Sequence, residues 1–186
     1  AYFVVKFPMT DSGDAPFYVE LAWNWLKRGV YGFAVDGHLT PVDMRVPGYP
    51  AFLAAVFAFA GRSERAVMFA QIIVDLATCF LIALMAARLA PQASRRRVAV
   101  AGIWLAALCP FTANYTAVVL TETLATFLTA LAIVVLESDL AKTRISAAEF
   151  ATAQRGFSPW FLAGIIAGFG TLVRPETPLL LVAAGL

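Results

Sequence analysis

Three ionisable residues in this 186-residue sequence stand at the edges of apolar runs, where a charge has either a structural or a chemical purpose. Asp14 follows Thr10-Asp11-Ser12-Gly13 and precedes Ala15-Pro16-Phe17-Tyr18. An acid just ahead of a helix with Pro in its first turn is an N-cap. The same carboxylate, with one oxygen left free, is a general base able to take a proton from a hydroxyl. The two roles are compatible, and Asp11 is the nearest substitute. Glu122, in Leu120-Thr121-Glu122-Thr123, is either a helix-start acid or a group that holds a metal or hydrogen-bonds a polar substrate beside Asp14. Arg174, in Leu172-Val173-Arg174-Pro175-Glu176, has the planar fork of donors that clamps a phosphate oxygen pair. Its plainer roles are snorkelling toward lipid headgroups and pairing with Glu176. Arg45 and Tyr49 flank the Pro47-Gly48 turn, where they would shape a pocket rim, and Tyr18 joins them on the substrate side.

Other polar residues read more plainly. Gln71 and Asp75 lie one helical turn apart inside an apolar run, where a helix–helix hydrogen bond explains Asp75 better than catalysis does. His38 sits beside Asp36 in a polar stretch and reads as solvated. Cys79 and Cys109 are isolated within apolar runs, without the spacing of a metal site or a disulfide framework. No metal ligand set is assigned. Glycine-rich phosphate loops and Ser-His-Asp patterns are absent from the sequence.

The elements that must position these residues are those of a membrane protein. The chain is 61% hydrophobic and only 14% charged, against about 25% charged in ordinary soluble domains. Its mean hydropathy is +0.77. A spanning helix needs about 20 mostly apolar residues. Val67–Leu89, Val98–Thr112 (with Pro110 near its end) and Thr116–Leu136 read as helices of this kind. Trp160–Val173 reads as a shorter one, and another begins at Leu179. Residues 1–9 read as the end of a first span, 10–66 as a polar-rich outer loop, and 67–186 as further spans. Both ends stop in apolar runs, which reads as a piece of a larger multispanning protein. The expected fold class is therefore all-α, a polytopic transmembrane helix bundle whose extracytoplasmic loop carries interfacial helices.

Orientation follows from the basic residues. Arg88, Arg95, Arg96 and Arg97 crowd one short connection with no acid among them, which places that turn in the cytoplasm and the 10–66 loop outside. The connection from Glu137 to Ser158 is then cytoplasmic too. Within the loop, Asp14 to Lys27 reads as a helix lying on the membrane, stopped by Gly29. Pro50–Ala60 reads as a second, interfacial or re-entrant helix. Nothing in the charge pattern suggests nucleic acid as a partner.

The landmarks taken together, Gly13-Asp14-Ala15-Pro16-Phe17-Tyr18, then Gly29 and Tyr31, Arg45-Val46-Pro47-Gly48-Tyr49-Pro50, Glu64-Arg65-Ala66-Val67, Leu120-Thr121-Glu122 and Thr171-Leu172-Val173-Arg174-Pro175, resemble the N-terminal half of the GT-C membrane glycosyltransferases. The nearest likeness is to bacterial relatives of dolichyl-phosphate-mannose–protein mannosyltransferase, including lipid A aminoarabinose transferase and the RgtA/B/C/D-like lipopolysaccharide sugar transferases. The resemblance implies a polyprenyl-phosphate-linked sugar as donor and a lipid, glycan or protein hydroxyl as acceptor. It also implies chemistry on the extracytoplasmic side of a bacterial-type plasma membrane, with inversion at the anomeric carbon. Asp14 matches the family's essential first-loop acid by its place in the landmark order, and Arg174 would stabilise the leaving phosphate. A divalent cation is the one cofactor the resemblance leaves open. The acid that often follows the first one in the family is Ala15 here, so a second carboxylate must come from Asp11 or Glu122. Two other classes remain open. A transporter or flippase would use Asp75 and Arg174 along a substrate path, and a non-catalytic membrane protein would use the aromatic loop only for anchoring.

Overall fold

The computed structural model describes residues 13–143, 159–177 and 179. The expected end of a span at 1–9, Asp11, most of the connection from Glu137 to Ser158 and the run beyond Leu179 lie outside those residues.

The first helix, α1 (Ala15–Arg28), has the bounds that Pro16 and Gly29 dictate. Gly29 adopts φ 68° and donates its N–H to the Trp25 carbonyl, closing the helix in the left-handed conformation that glycine takes without strain. Asp14 occupies the N-cap position, yet its side chain makes no capping hydrogen bond. The buried face of α1 carries Ala15, Tyr18, Val19, Leu21 and Ala22.

The described chain is mostly helical, as the all-α expectation has it, and the loop that follows adds one short hairpin. Strands β1 (Gly32–Val35) and β2 (His38–Pro41) pair antiparallel, with Val35 opposite His38. Asp36 and Gly37 make the turn with φ of 50° and 79°, the pair of positive values that a two-residue hairpin turn demands. The hairpin docks on α1. Asn24 Nδ2 donates to the Gly32 carbonyl at 2.8 Å, and the Phe17 and Phe33 rings meet edge to face.

Helix α2 (Gly48–Ala60) is too short to span and packs beneath α1 through Tyr18–Tyr49 and Trp23–Phe57 edge contacts. Helix α3 (Glu64–Leu89) starts at Ser63, whose hydroxyl accepts from the Ala66 N–H. Its 26 residues reach about 39 Å, enough for a hydrocarbon core of roughly 30 Å. Phe69, Ile73, Leu76, Phe80 and Leu84 are exposed along one stripe of it, while Met68, Gln71, Thr78 and Cys79 are buried on the other side. That apolar stripe suits lipid and not water. Among the described residues α3 is the one helix that is long and apolar enough to cross a membrane.

The next two stretches depart from the sequence expectation. Instead of one helix over Val98–Thr112, α4 (Arg95–Ala107) ends at Leu108, and α5 (Pro110–Tyr115) restarts with Pro110 at its first position. Proline cannot sit inside a helix without losing a hydrogen bond, but at a first turn the missing N–H has no intrahelical partner to lose. Instead of a helix from Thr116, residues 116–121 are irregular and α6 (Glu122–Thr143) begins at Glu122. Gln71 accounts for this. Its wholly buried Nε2 donates to the Val118 carbonyl at 2.7 Å and to Thr116 at 3.3 Å, while its Oε1 accepts from the Tyr49 hydroxyl at 2.5 Å. Carbonyls taken by Gln71 are held out of a helix, and the β-branched run Thr116, Val118, Val119 and Thr121 favours extended backbone. The helix–helix hydrogen bond expected of Asp75 is thus made by Gln71, one turn away.

Helix α7 (Pro159–Val173) returns antiparallel to α6. Its small residues Ala163, Ala167 and Gly170 are buried, while Phe161, Ile165, Phe169 and Leu172 stay exposed. At the far end of the bundle Arg88 Nη1 donates to the Val134 carbonyl at 3.0 Å. Glu122, three turns from Val134 along α6, and Arg174 therefore lie at the opposite end from the arginine turn.

Candidate active site

Four segments far apart in sequence meet at that opposite end: the start of α1, the loop before α2, the start of α6 and the residues after α7. Asp14, freed from capping, accepts on Oδ1 a hydrogen bond from Arg45 Nη2 at 2.6 Å. Among the described residues Oδ2 has no protein partner, and the side chain is 42% exposed. The Arg45 guanidinium also lies 5.9 Å from the centre of the Tyr18 ring, within cation–π range. Arg45 is placed in turn by Tyr31, whose hydroxyl donates to the Arg45 carbonyl at 2.9 Å.

Arg174 joins from the other side. Its Nη1 lies 3.4 Å from Glu122 Oε1, and its Nε donates to Glu176 Oε1 at 2.8 Å. Glu122 Oε2 is buried with no protein partner. Backbone hydrogen bonds first, then the Arg174 contact, hold the Glu176 carboxyl below its usual range, so it stays ionised. Asp14, Tyr18, Arg45, Glu122, Arg174 and Glu176 line one cavity of about 320 Å³. A second cavity of about 640 Å³ adjoins it, sharing Glu122, Arg174 and Glu176 and reaching down to Asp75.

Five of the six residues expected at a site therefore share one cavity wall. Tyr49 does not. It is wholly buried, with its hydroxyl on Gln71, so it supports the wall from beneath instead of forming its rim. Glu176, expected only as a partner for Arg174, lines the cavity as well. His38 is exposed on β2 and is not among the lining residues.

Formally the cavity holds three carboxylates and two guanidinium groups. Among the described residues no group of three or more His, Cys, Asp or Glu could hold a metal ion. Asp14, Glu122 and Glu176 each face an arginine instead. Among the described residues this donor set does not fit a divalent cation. An anion entering beside Arg174 needs only to displace Glu176, whose side chain is 53% exposed; exposed pairs of this kind are worth about 0–1 kcal/mol.

Tyr31 gives a solution test of the loop that carries Arg45. Burial pushes its phenol from 10.0 up to about 12, with the nearby Arg45 opposing the shift. The unfolded chain then loses this proton near pH 10 and the folded chain near pH 12. Across that window the unfolded state binds fewer protons, so stability is full below pH 10 and falls as pH rises toward 12. The difference in 295 nm absorbance between wild type and Tyr31→Phe is expected to titrate near pH 12. A midpoint near pH 10 would mean that Tyr31 is not packed on the Arg45 backbone.

A family model described as dolichyl-phosphate-mannose-protein mannosyltransferase matches residues 44–186. The matched stretch takes in Arg45, Tyr49, Glu122 and Arg174; Asp14 and Tyr18 precede it. No curated protein and no solved structure matches the chain.

Proposed function

Because the chain belongs to the dolichyl-phosphate-mannose-protein mannosyltransferase family, whose members are membrane glycosyltransferases, we propose that it moves a sugar from a polyprenyl-phosphate donor to a hydroxyl on the extracytoplasmic side of a membrane it crosses several times. Asp14 is the general base of this reading. The observation that carries it is the single cavity lined by Asp14, Arg45, Glu122 and Arg174.

The step is a single displacement. The acceptor oxygen forms a bond to the anomeric carbon while the bond from that carbon to the phosphate oxygen breaks. The acceptor proton passes to Asp14 Oδ2, and the lipid phosphate leaves with the electron pair. Attack from the face opposite the leaving group inverts the anomeric centre. Positive charge develops on the sugar in such a transition state, which makes the attacking hydroxyl more acidic as the new bond forms. A carboxylate steadied by Arg45 is then basic enough. The guanidinium holds Oδ1 and leaves Oδ2 without a partner among the described residues, so the carboxylate is fixed before substrate arrives. Arg174 offers its remaining N–H groups to the phosphate as its charge grows, the role of a donor aimed at charge that develops in the transition state. The acceptor is a lipid, a glycan or a protein.

The reading is tested with the full-length protein in liposomes supplied with polyprenyl-phosphate mannose and a hydroxyl acceptor. Wild type is expected to release polyprenyl phosphate and to form a product of inverted configuration. Arg174→Ala is expected to lower kcat about 10²–10³-fold, in the range for loss of one charge-stabilising donor. A wild-type protein that transfers no sugar, or an Arg174→Ala variant with the wild-type kcat, would overturn the assignment. Flux of the lipid without transfer would point to a transporter.

A further inference from the structure

The larger cavity has an interior that the transfer step leaves unused. It lies between α3, α5 and α6 and is lined there by Asp75, Tyr115, Thr123, Thr126 and Thr129. Its mouth is the wall shared with Asp14's cavity, formed by Glu122, Arg174 and Glu176. Two independent observations distinguish it from a packing gap. Asp75 makes no hydrogen bond or ion pair with another described residue, although it sits well inside the one helix able to span a membrane. Thr123 is 6% exposed, and its hydroxyl is buried with no partner. Beside it Glu122 Oε2 is buried and equally without one.

Polar groups at membrane depth are costly and need something to bind. A lipid tail offers them nothing. A cation would find Arg174 at the same wall, and among the described residues Asp75 and Glu122 belong to no group of three or more acids, histidines or cysteines that could hold it. A ring bearing several hydroxyls satisfies the set. A carboxylate only accepts, each sugar hydroxyl donates one hydrogen bond and accepts others, and a threonine hydroxyl does both. The Thr126 hydroxyl already donates to the Glu122 carbonyl at 2.8 Å and so faces a ligand as an acceptor.

We infer that this cavity is a subsite for a hydroxylated ring of one of the two substrates, with the Asp75 carboxylate and the Thr123 hydroxyl as its reading groups. The inference rests on the transferase reading and extends it to specificity. The ring belongs either to the donor or to the acceptor, and the two sources separate in one experiment.

The full-length protein in lipid nanodiscs is compared with Asp75→Asn and Thr123→Val, with polyprenyl-phosphate mannose, bare polyprenyl phosphate and methyl mannoside as probes. If the donor's ring occupies the cavity, the variants bind polyprenyl-phosphate mannose about 10- to 100-fold more weakly, the range for a lost hydrogen bond to a charged group. Bare polyprenyl phosphate then binds as in wild type, which also shows that the variants are folded. If the acceptor's ring occupies it, donor binding is unchanged and the KM for methyl mannoside rises by a similar factor. Either result supports the subsite. Variants equal to wild type with all three probes overturn it, as does an equal loss for bare polyprenyl phosphate. When wild type transfers mannose in that negative case, the transferase reading stands and only the subsite falls. A wild type that transfers none removes both.

Discussion

Asp14→Asn is expected to lower kcat about 10²–10⁴-fold, the usual contribution of a positioned general base, with little change in stability. The asparagine keeps the shape of the side chain and can still accept from Arg45 through its amide oxygen, but it cannot take a proton. The ion pair it removes is 35% and 42% exposed at its two side chains, and such pairs contribute about 0–1 kcal/mol. The N-cap adds nothing to the loss, because Asp14 makes no capping bond to α1. A drop in kcat without a drop in Tm or in donor binding therefore isolates the chemical role. Steady-state transfer from polyprenyl-phosphate mannose, beside a thermal melt in detergent, makes the comparison. Full-rate transfer by Asp14→Asn would reduce Asp14 to a partner of Arg45. A large fall in Tm would instead make its role structural. Because Asp14 precedes the stretch matched to the family, this variant also asks whether residues before Met44 belong to the working site.

The sequence exposes local signals well and long-range ones hardly at all. Pro16 and Gly29 bracket α1 by backbone chemistry alone, and the apolar run after Glu64 is long enough to mark α3. Glu122 and Arg174, 52 positions apart, share one end of the bundle because α7 runs back along α6 and brings them within 3.4 Å. The hairpin was within reach, since Asp36-Gly37 is a two-residue turn signal, but strands of four residues each are too short to alternate clearly. The late start of α6 was not legible from hydropathy, which records how apolar a stretch is and not where its carbonyls go. Those carbonyls are taken by Gln71, more than forty residues earlier. The same limit hid the Asp14–Arg45 pair, separated by 31 positions. It also misplaced Tyr49, whose position beside a turn suggested a rim while its hydroxyl is drawn inward to Gln71.

Gly48 sets how far apart the two arginines stand, and Gly48→Ala is expected to disrupt the site without touching a charged group. A Cβ there would lie 2.4 Å from the Leu172 carbonyl oxygen, 2.6 Å from its carbon and 2.9 Å from the Val173 nitrogen. All three are backbone atoms, so no side chain can swing aside. Either α2 or the end of α7 must move, and the two carry Arg45 three residues before Gly48 and Arg174 just after Val173. Overpacking of this kind costs about 1–3 kcal/mol. A displacement near 1 Å between groups that must act together lowers turnover by about 10²-fold. The expected result is a lower Tm together with a fall in kcat/KM that exceeds the fraction of protein unfolded. Gly164→Ala in α7 is the control. A Cβ there meets nothing within 4 Å, and replacing a helical glycine stabilises by about 1 kcal/mol or less. If Gly48→Ala keeps both its Tm and its transfer rate, the backbones of α2 and α7 do not meet at Gly48. The spacing of Arg45 and Arg174 would then have to be set by some other contact.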